Sequence, residues 1–196
     1  MQSTHPKKKV GIVPTMHPCD TVDLAVFEHP NFHASVELTV TPRQAFEVLE
    51  DADAWPQWLT SLRNVTWTSP DPKGVGTTRT VRMGGGIVAE EVFLAWDVER
   101  RMAFRFTKCS ASAFVLFAED YRLDPTSDGC RLTWSVVIEG NGVLGHVLPR
   151  LAPVMNRVLR RFLINLRRFT DARYSETTPG RHWPVCPKRN DGQDSG

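Results

Sequence analysis

Hydrophobic and polar positions alternate strictly from residue 34. Ala34, Val36, Leu38 and Val40 share one face of an extended chain, which predicts a β-strand over HASVELTV. The period then changes. In TPRQAFEVLED, Thr41 stands where a helix N-cap is wanted, Pro42 takes the first helical position, and Ala45, Phe46 and Leu49 recur at helical spacing. DADAWPQWLTSL predicts a second short helix beginning near Asp53. Alternation returns in six stretches: RNVTWTS, GTTRTVRMG, IVAEEVFLAWDV, MAFRFTKC, AFVLFAEDYRL and CRLTWSVVIE. The segments between them, PDPKGVG, GGG, ERR, SAS and DPTSDG, are turn-like. Apolar residues at 151, 154, 155, 158, 162, 166 and 169 then mark one long amphipathic helix.

The ends lack such periods. Residues 1–32 hold Pro6, Pro14, Pro18 and Pro30, and the stretch after Tyr174 is polar with three prolines. Both are expected to be disordered, 1–32 as an N-terminal extension and 175–196 as a tail, leaving a folded unit at 33–174. One strand, two short helices, six more antiparallel strands and a long final helix make an α+β layer fold. A seven-stranded sheet of this kind must curl. A long C-terminal helix laid across its concave face leaves an interior too wide for side chains to fill, so an internal hydrophobic cavity is expected.

Side chains two apart on a strand point the same way. In IVAEEVFLAWDV the set Val88, Val92, Leu94, Trp96 and Val98 is apolar apart from Glu90. In AFVLFAEDYRL, Glu119 shares a face with Val115, Phe117, Tyr121 and Leu123. Leu132, Trp134, Val136 and Ile138 share one in the last strand, and Val65 and Trp67 in the second. These sets should face the interior, with Glu90 and Glu119 among them. A buried, unpaired carboxyl is costly and should hold its proton. Arg82 or Arg105 would have to cross parity to pair with them. The alternative is that a bulge or a strand end puts both glutamates in water.

Composition narrows the chemistry. The 196 residues are 41% hydrophobic, enough for one domain with a real core. No run approaches the roughly 18 apolar residues of a membrane-spanning helix, and VGIV before Pro14 is too short for a signal peptide. A cytoplasmic location is the default. Cys19, Cys109, Cys130 and Cys186 lie far apart without a CxxC pair, so neither zinc nor a disulfide framework is indicated. Cys109 and Cys130 read as reduced core or strand-end thiols. No metal and no cofactor is expected. Gly140, Gly142 and Gly145 match GxGxxG, but no strand follows the helix, so they read as a loop turning the last strand onto it. Gly84-Gly85-Gly86 reads as a hairpin turn.

The net charge of +2 hides an asymmetry. Residues 149–174 carry seven arginines against one acid, Asp171. That helix is either a solvated outer face or a basic patch for an anionic surface. Weak peripheral contact with an anionic membrane is the partner it allows; no nucleic-acid partner is expected.

Several stretches together resemble a known family: TPRQAFEVLEDADAWPQWLTSLRNV, the PKGVGTTRTVRM turn and strand, AWDVERRMAFRF, DGCRLTWSVVIEG, and NRVLRRFLINLRRF at the end. They resemble the START-related helix-grip superfamily, in its bacterial polyketide cyclase/dehydrase and lipid-transport branch (SRPBCC). DADAWPQWL is the most specific of them. The resemblance implies a hydrophobic small molecule held between sheet and long helix, with the two short helices plugging one end. It places Trp58 against the cavity wall, while Trp55, before Pro56, packs at its helix start. Parity adds Trp67, Glu90, Trp96 and Phe117 as ligand-binding positions. Glu119, Tyr121, Trp134 and Val136 join them, with Met155 and Leu159 from the helix. The expected function is binding or carriage of a lipid, quinone, sterol or polyketide-like molecule. The alternative is a cyclase/dehydratase-type enzyme with Glu90 or Glu119 as general acid/base and Tyr121 or His146 polarising a carbonyl.

Overall fold

The structure is a computed structural model that describes residues 14–175. The antiparallel strands are β1 (His17–Pro18), β2 (Phe32–Leu38), β3 (Leu62–Trp67), β4 (Thr78–Met83), β5 (Val88–Asp97), β6 (Arg101–Cys109), β7 (Phe114–Thr126) and β8 (Gly129–Gly140). Seven of them run in the order β2-β8-β7-β6-β5-β4-β3, so the sheet is a meander closed at one edge by the first long strand. Helices α1 (Pro42–Glu50) and α2 (Trp55–Trp58) follow β2; α3 (Gly142–Val147) and α4 (Ala152–Tyr174) follow β8. This is the curved sheet gripping a long C-terminal helix that the resemblance implies.

Local chemistry explains the two short helices differently. Thr41 and Gln44 form a capping box, with the Thr41 side chain accepting from the Gln44 N–H at 3.2 Å and the Gln44 side chain accepting from the Thr41 N–H at 3.0 Å. Two otherwise orphaned donors are thereby satisfied. Ala45, Phe46, Val48 and Leu49 form the buried face of α1. Helix α2 is a single turn without a side-chain cap, too short to persist by propensity. Its tryptophans hold it. Both are fully buried, and the Trp55 indole N–H donates to the Leu49 carbonyl at 2.8 Å.

At the other end, Gly85 and Gly86 adopt φ of 73° and 80°, the left-handed backbone that the tight β4–β5 turn needs. Pro149 and Pro153 punctuate the C-terminal segment, which runs as α3, a 3-10 turn at Leu148–Leu151, and then α4. The buried stripe therefore belongs to α4 alone: Leu159, Leu163, Leu166 and Thr170, flanked by half-buried Met155, Phe162 and Phe169. Leu151, Val154 and Val158, counted in the expected stripe, are exposed. Among the described residues no helix is long and apolar enough to cross a membrane.

Residues 14–31 depart from the expected disordered extension; 1–13 and 176–196 lie outside the described residues. Pairing of β6 with β7 runs only from Arg101↔Arg122 to Arg105↔Ala118. Beyond it the strands part, and the N-terminal segment enters the gap: β1 pairs with Lys108–Cys109, the Cys19 N–H donates to the Thr107 carbonyl at 3.0 Å, and the Asp20 N–H donates to Val115 at 2.8 Å. The chain then crosses the convex face, where Phe27, Val22, Leu24 and Val26 cover Ala95, Ala103, Leu116, Ala118 and Val137. Asp23 caps the short 3-10 turn at Leu24–Glu28 by accepting from the Ala25 N–H at 2.9 Å. The stretch is too short and irregular to show a period, yet one buried Phe is worth roughly 1.5–3 kcal/mol. Cys19, Cys109 and Cys130 are all buried free thiols.

Candidate functional site

Between the concave face, α2 and α4 lies a cavity of about 300 Å³. Phe104, Phe106, Phe117, Trp134 and Val136 form its sheet wall, Trp55 and Leu59 its end, and Met155, Leu159 and Phe162 its helix side. Aromatic pairs stiffen that wall. Phe106 stacks on Phe117 with centroids 4.2 Å apart, bridging inside the gap that the N-terminal segment fills from outside. Tyr121 stacks on Trp134 at 5.2 Å, and Trp58 packs edge-on against Trp134 at 6.1 Å.

Three ionisable side chains interrupt this apolar lining: Arg79, Glu91 and Glu119, which are 1%, 3% and 6% exposed. Arg79 lies in an aromatic cage, its guanidinium carbon 4.4 Å from the ring centres of both Trp55 and Phe104 and 5.0 Å from Phe93. Desolvated contacts of this kind are worth about 2 kcal/mol. Its Nε donates to Glu91 Oε2, while its Nη1 has no partner among the described residues. Burial pushes the Glu91 carboxyl up against the opposing pull of Arg79. Burial likewise raises Glu119, to about 8, and neighbouring Glu91 adds to the rise. The Tyr121 hydroxyl donates to Glu119 Oε2 at 2.7 Å. Burial and adjacent Glu119 hold that phenol well above its ordinary range, so it remains a donor. Guanidinium keeps its charge in proteins. The site thus sets one fixed cation against the Glu91 carboxyl, with the Glu119 carboxyl beside them biased toward its protonated form.

The residues singled out from the sequence separate here. Phe117, Glu119, Trp134, Val136, Met155 and Leu159 line the cavity. Tyr121 is fully buried behind Glu119, and Trp58 behind Trp134. Trp67 and Trp96 do not line it; they pack on Phe93, with centroids at 5.4 and 4.9 Å, and back the Arg79 cage. His146 is exposed on α3, its Nδ1 2.7 Å from the Gly142 carbonyl oxygen.

Glu90 is corrected. It faces outward, 42% exposed, and pairs with Lys108 at 3.2 Å. The cause is a β-bulge. On β5, Phe93 opposes Phe104 but Ala95 opposes Ala103, leaving Leu94 as an extra residue. An extra residue reverses side-chain parity. Trp96 faces the core, but so do Phe93, Glu91 and Ala89 rather than residues 94, 92 and 90. The carboxylate inside is Glu91, one position along.

Arg79, like Glu91, is a charged cavity residue that the sequence patterns did not single out. Its signal was present: it shares parity with Val81 and Met83 on β4, and all three line the cavity. Neither Arg82, which is exposed, nor Arg105, which turns from the cavity, supplies the cation.

Comparison with known proteins agrees with this geometry. Among solved structures, the protein TTHA0849 from Thermus thermophilus superposes with a TM-score of 0.60 at 16% identity, over 72% of this chain and 97% of that one. The di-domain ARO/CYC StfQ of the steffimycin biosynthetic pathway gives 0.58 at 14% identity, over 74% of this chain and 52% of its own. At such identities the likeness is one of fold. Uncharacterized proteins of Mycobacterium tuberculosis and Mycobacterium bovis are each 50% identical over 162 residues, spanning 82% of this chain and 97% of theirs. The family described as polyketide cyclase / dehydrase and lipid transport matches residues 29–169, and the chain belongs to it.

Proposed function

We propose that the protein binds a hydrophobic small molecule (lipid, quinone, sterol or polyketide-like) in the cavity between sheet and α4, as a cytoplasmic carrier or ligand-binding protein. The observation that carries this reading is the cavity wall: rings and aliphatic side chains throughout, interrupted only by Ser61 and the Arg79, Glu91 and Glu119 group. Concave, mostly apolar sites with a few convergent polar groups are the usual form of small-molecule sites. Exposed Arg160, Arg161, Arg167 and Arg168, together with exposed Val154 and Val158 on the same helix, suit weak exchange at an anionic membrane. Retention on anionic vesicles should then be lost at high salt.

A second reading rests on Glu119 alone. A carboxylic acid that keeps its proton near neutrality is suited to general-acid work on a bound carbonyl. Such an enzyme would lose turnover in Glu119→Gln while keeping ligand binding.

A neutral apolar fluorophore titrated into the full chain tests binding. Saturable one-to-one uptake with quenching of tryptophan emission is expected. Met155→Trp, which fills the space from α4, should abolish uptake without lowering the melting temperature by more than a few degrees. Uptake that never saturates, or that survives Met155→Trp unchanged, would sink the proposal.

A further inference from the structure

Eight large apolar side chains are exposed among the described residues, and five of them fall within 143–158: Val143, Val147, Leu151, Val154 and Val158. They run along α3, the 3-10 turn and the first turns of α4 at spacings of four, four, three and four. Those intervals keep side chains on one side of a helical chain. Val143 and Val154 are the most exposed of the five, at 80% and 53%. Apolar side chains gathered in this way, rather than scattered singly, mark a contact surface.

The stripe meets the cavity. Of the residues that line it, Ser61 and Val158 are exposed, and Met155 and Phe162, which flank Val158 on α4, are half-buried. The cavity therefore reaches the surface on the side of α4 where the stripe ends.

Charge indicates what covers the stripe. Between Glu139 and Asp171 the chain carries six arginines and no acid. All six are exposed, and among the described residues only Arg167 has a carboxylate partner, Asp171 at 3.7 Å. A two-fold copy of this face would set arginine against arginine, which opposes self-association. A bilayer rich in anionic headgroups matches both features: phosphates meet the guanidiniums, and the headgroup–acyl boundary takes the valines. No described helix is long and apolar enough to cross a membrane, so the segment would lie along the surface. A lipid surface also lets an apolar cargo leave the cavity without passing through water.

We propose that the face from Val143 to Val158 is a docking surface for anionic bilayers, which sets the cavity mouth against the lipid. The arginines attract; the apolar stripe supplies the hold and the orientation. The docking stands on exposure and charge, whereas its use, passing cargo between cavity and bilayer, rests on the ligand-binding reading above.

Co-sedimentation of the full chain with vesicles of phosphatidylglycerol and phosphatidylcholine in equal parts, at low salt, tests it. Retention is expected there and not on phosphatidylcholine alone. Val143→Ser together with Val154→Ser removes two exposed side chains that do not line the cavity, without changing the charge. The pair should lower the partition coefficient by about tenfold or more, because each valine withdrawn from lipid loses its buried area. Melting temperature and uptake of the neutral fluorophore should stay at the parent's values. Val143→Trp should gain a blue-shifted emission on vesicle binding that brominated acyl chains quench. Unchanged retention of the serine pair would overturn the proposal in favour of adhesion by the arginines alone, and a parent that is not retained would overturn it outright. Dimerisation of the parent that the serine pair abolishes would overturn it in favour of a second copy of the chain. A parent that is retained but takes up no fluorophore would end the ligand-binding reading and leave the docking surface standing.

Discussion

Glu119 and Asp120 are neighbours on β7 and point to opposite faces of the sheet, each toward an arginine on another strand. On the convex face, Asp120 is 1% exposed yet fully served: Arg101 donates to both its oxygens, at 2.8 and 3.0 Å, and Arg122 donates at 2.9 Å. Those arginines keep contact with water, their side chains 22% and 54% exposed. On the concave face, Arg79 and Glu91 have no such contact, burial biases Glu119 toward its protonated form, and among the described residues one guanidinium N–H has no partner. The outer group is closed chemistry that helps fasten β6 to β7. What separates the two groups is burial: both charges of the inner pair lie out of water beside the cavity, whereas the outer arginines reach solvent.

The largest effect should come from splitting the inner pair. Glu91→Leu leaves a buried guanidinium without its counter-charge and should destabilise the fold by about 3–5 kcal/mol, whereas the double change with Arg79→Met should recover most of the loss. Asp120→Ala should cost about 1–2 kcal/mol, because Arg101 and Arg122 can turn to water. Urea unfolding of the variants decides. Equal costs on the two faces would erase the comparison.

Next comes the pH response of Glu119. An unfolded glutamate titrates near 4.3, and the folded one at about 8. The site prefers the protonated form, so this group's contribution to stability is complete below about pH 4. It falls as pH rises from there and is gone above about pH 8. Glu119→Gln stays neutral throughout. It should match the parent near pH 4 and become relatively more stable, by a few kcal/mol, as pH rises to 8. Unfolding curves at both ends of that window test this; a constant difference between the two proteins would place the carboxyl in water.

The smallest effect is also the sharpest test of the β5 bulge. Glu90→Gln removes only an exposed pair with Lys108 and should shift stability by less than about 0.5 kcal/mol, against the large cost at Glu91. A large loss at Glu90 would mean that the parity switch is misplaced.

Much of this molecule was legible in its residues. Patterns of period two and 3.6 located β2 to β8, α1 and the long final helix, because those elements bury one face against a common core and periodicity records which face. Thr41 and Pro42 announced the start of α1, and the aromatic parity of β7 and β8 announced most of the sheet wall, including Glu119. Three things depended on the tertiary structure. A single extra residue, Leu94, carries no signature of its own, yet it decided that Glu91 and not Glu90 enters the cavity. Parity with Val81 and Met83 pointed Arg79 inward, but a buried arginine is tolerable only where Glu91 and the rings of Trp55, Trp67, Phe93 and Phe104 converge on it from other elements. Such convergence is invisible to a local pattern. The segment from Cys19 to Phe27 gains its order from a gap between β6 and β7 and from a bare convex face, neither of which exists until the sheet has curled. Local patterns fix which elements form, because their causes lie within a few residues. The chemistry of the cavity was settled by contacts between strands far apart in sequence, where burial and charge act through space.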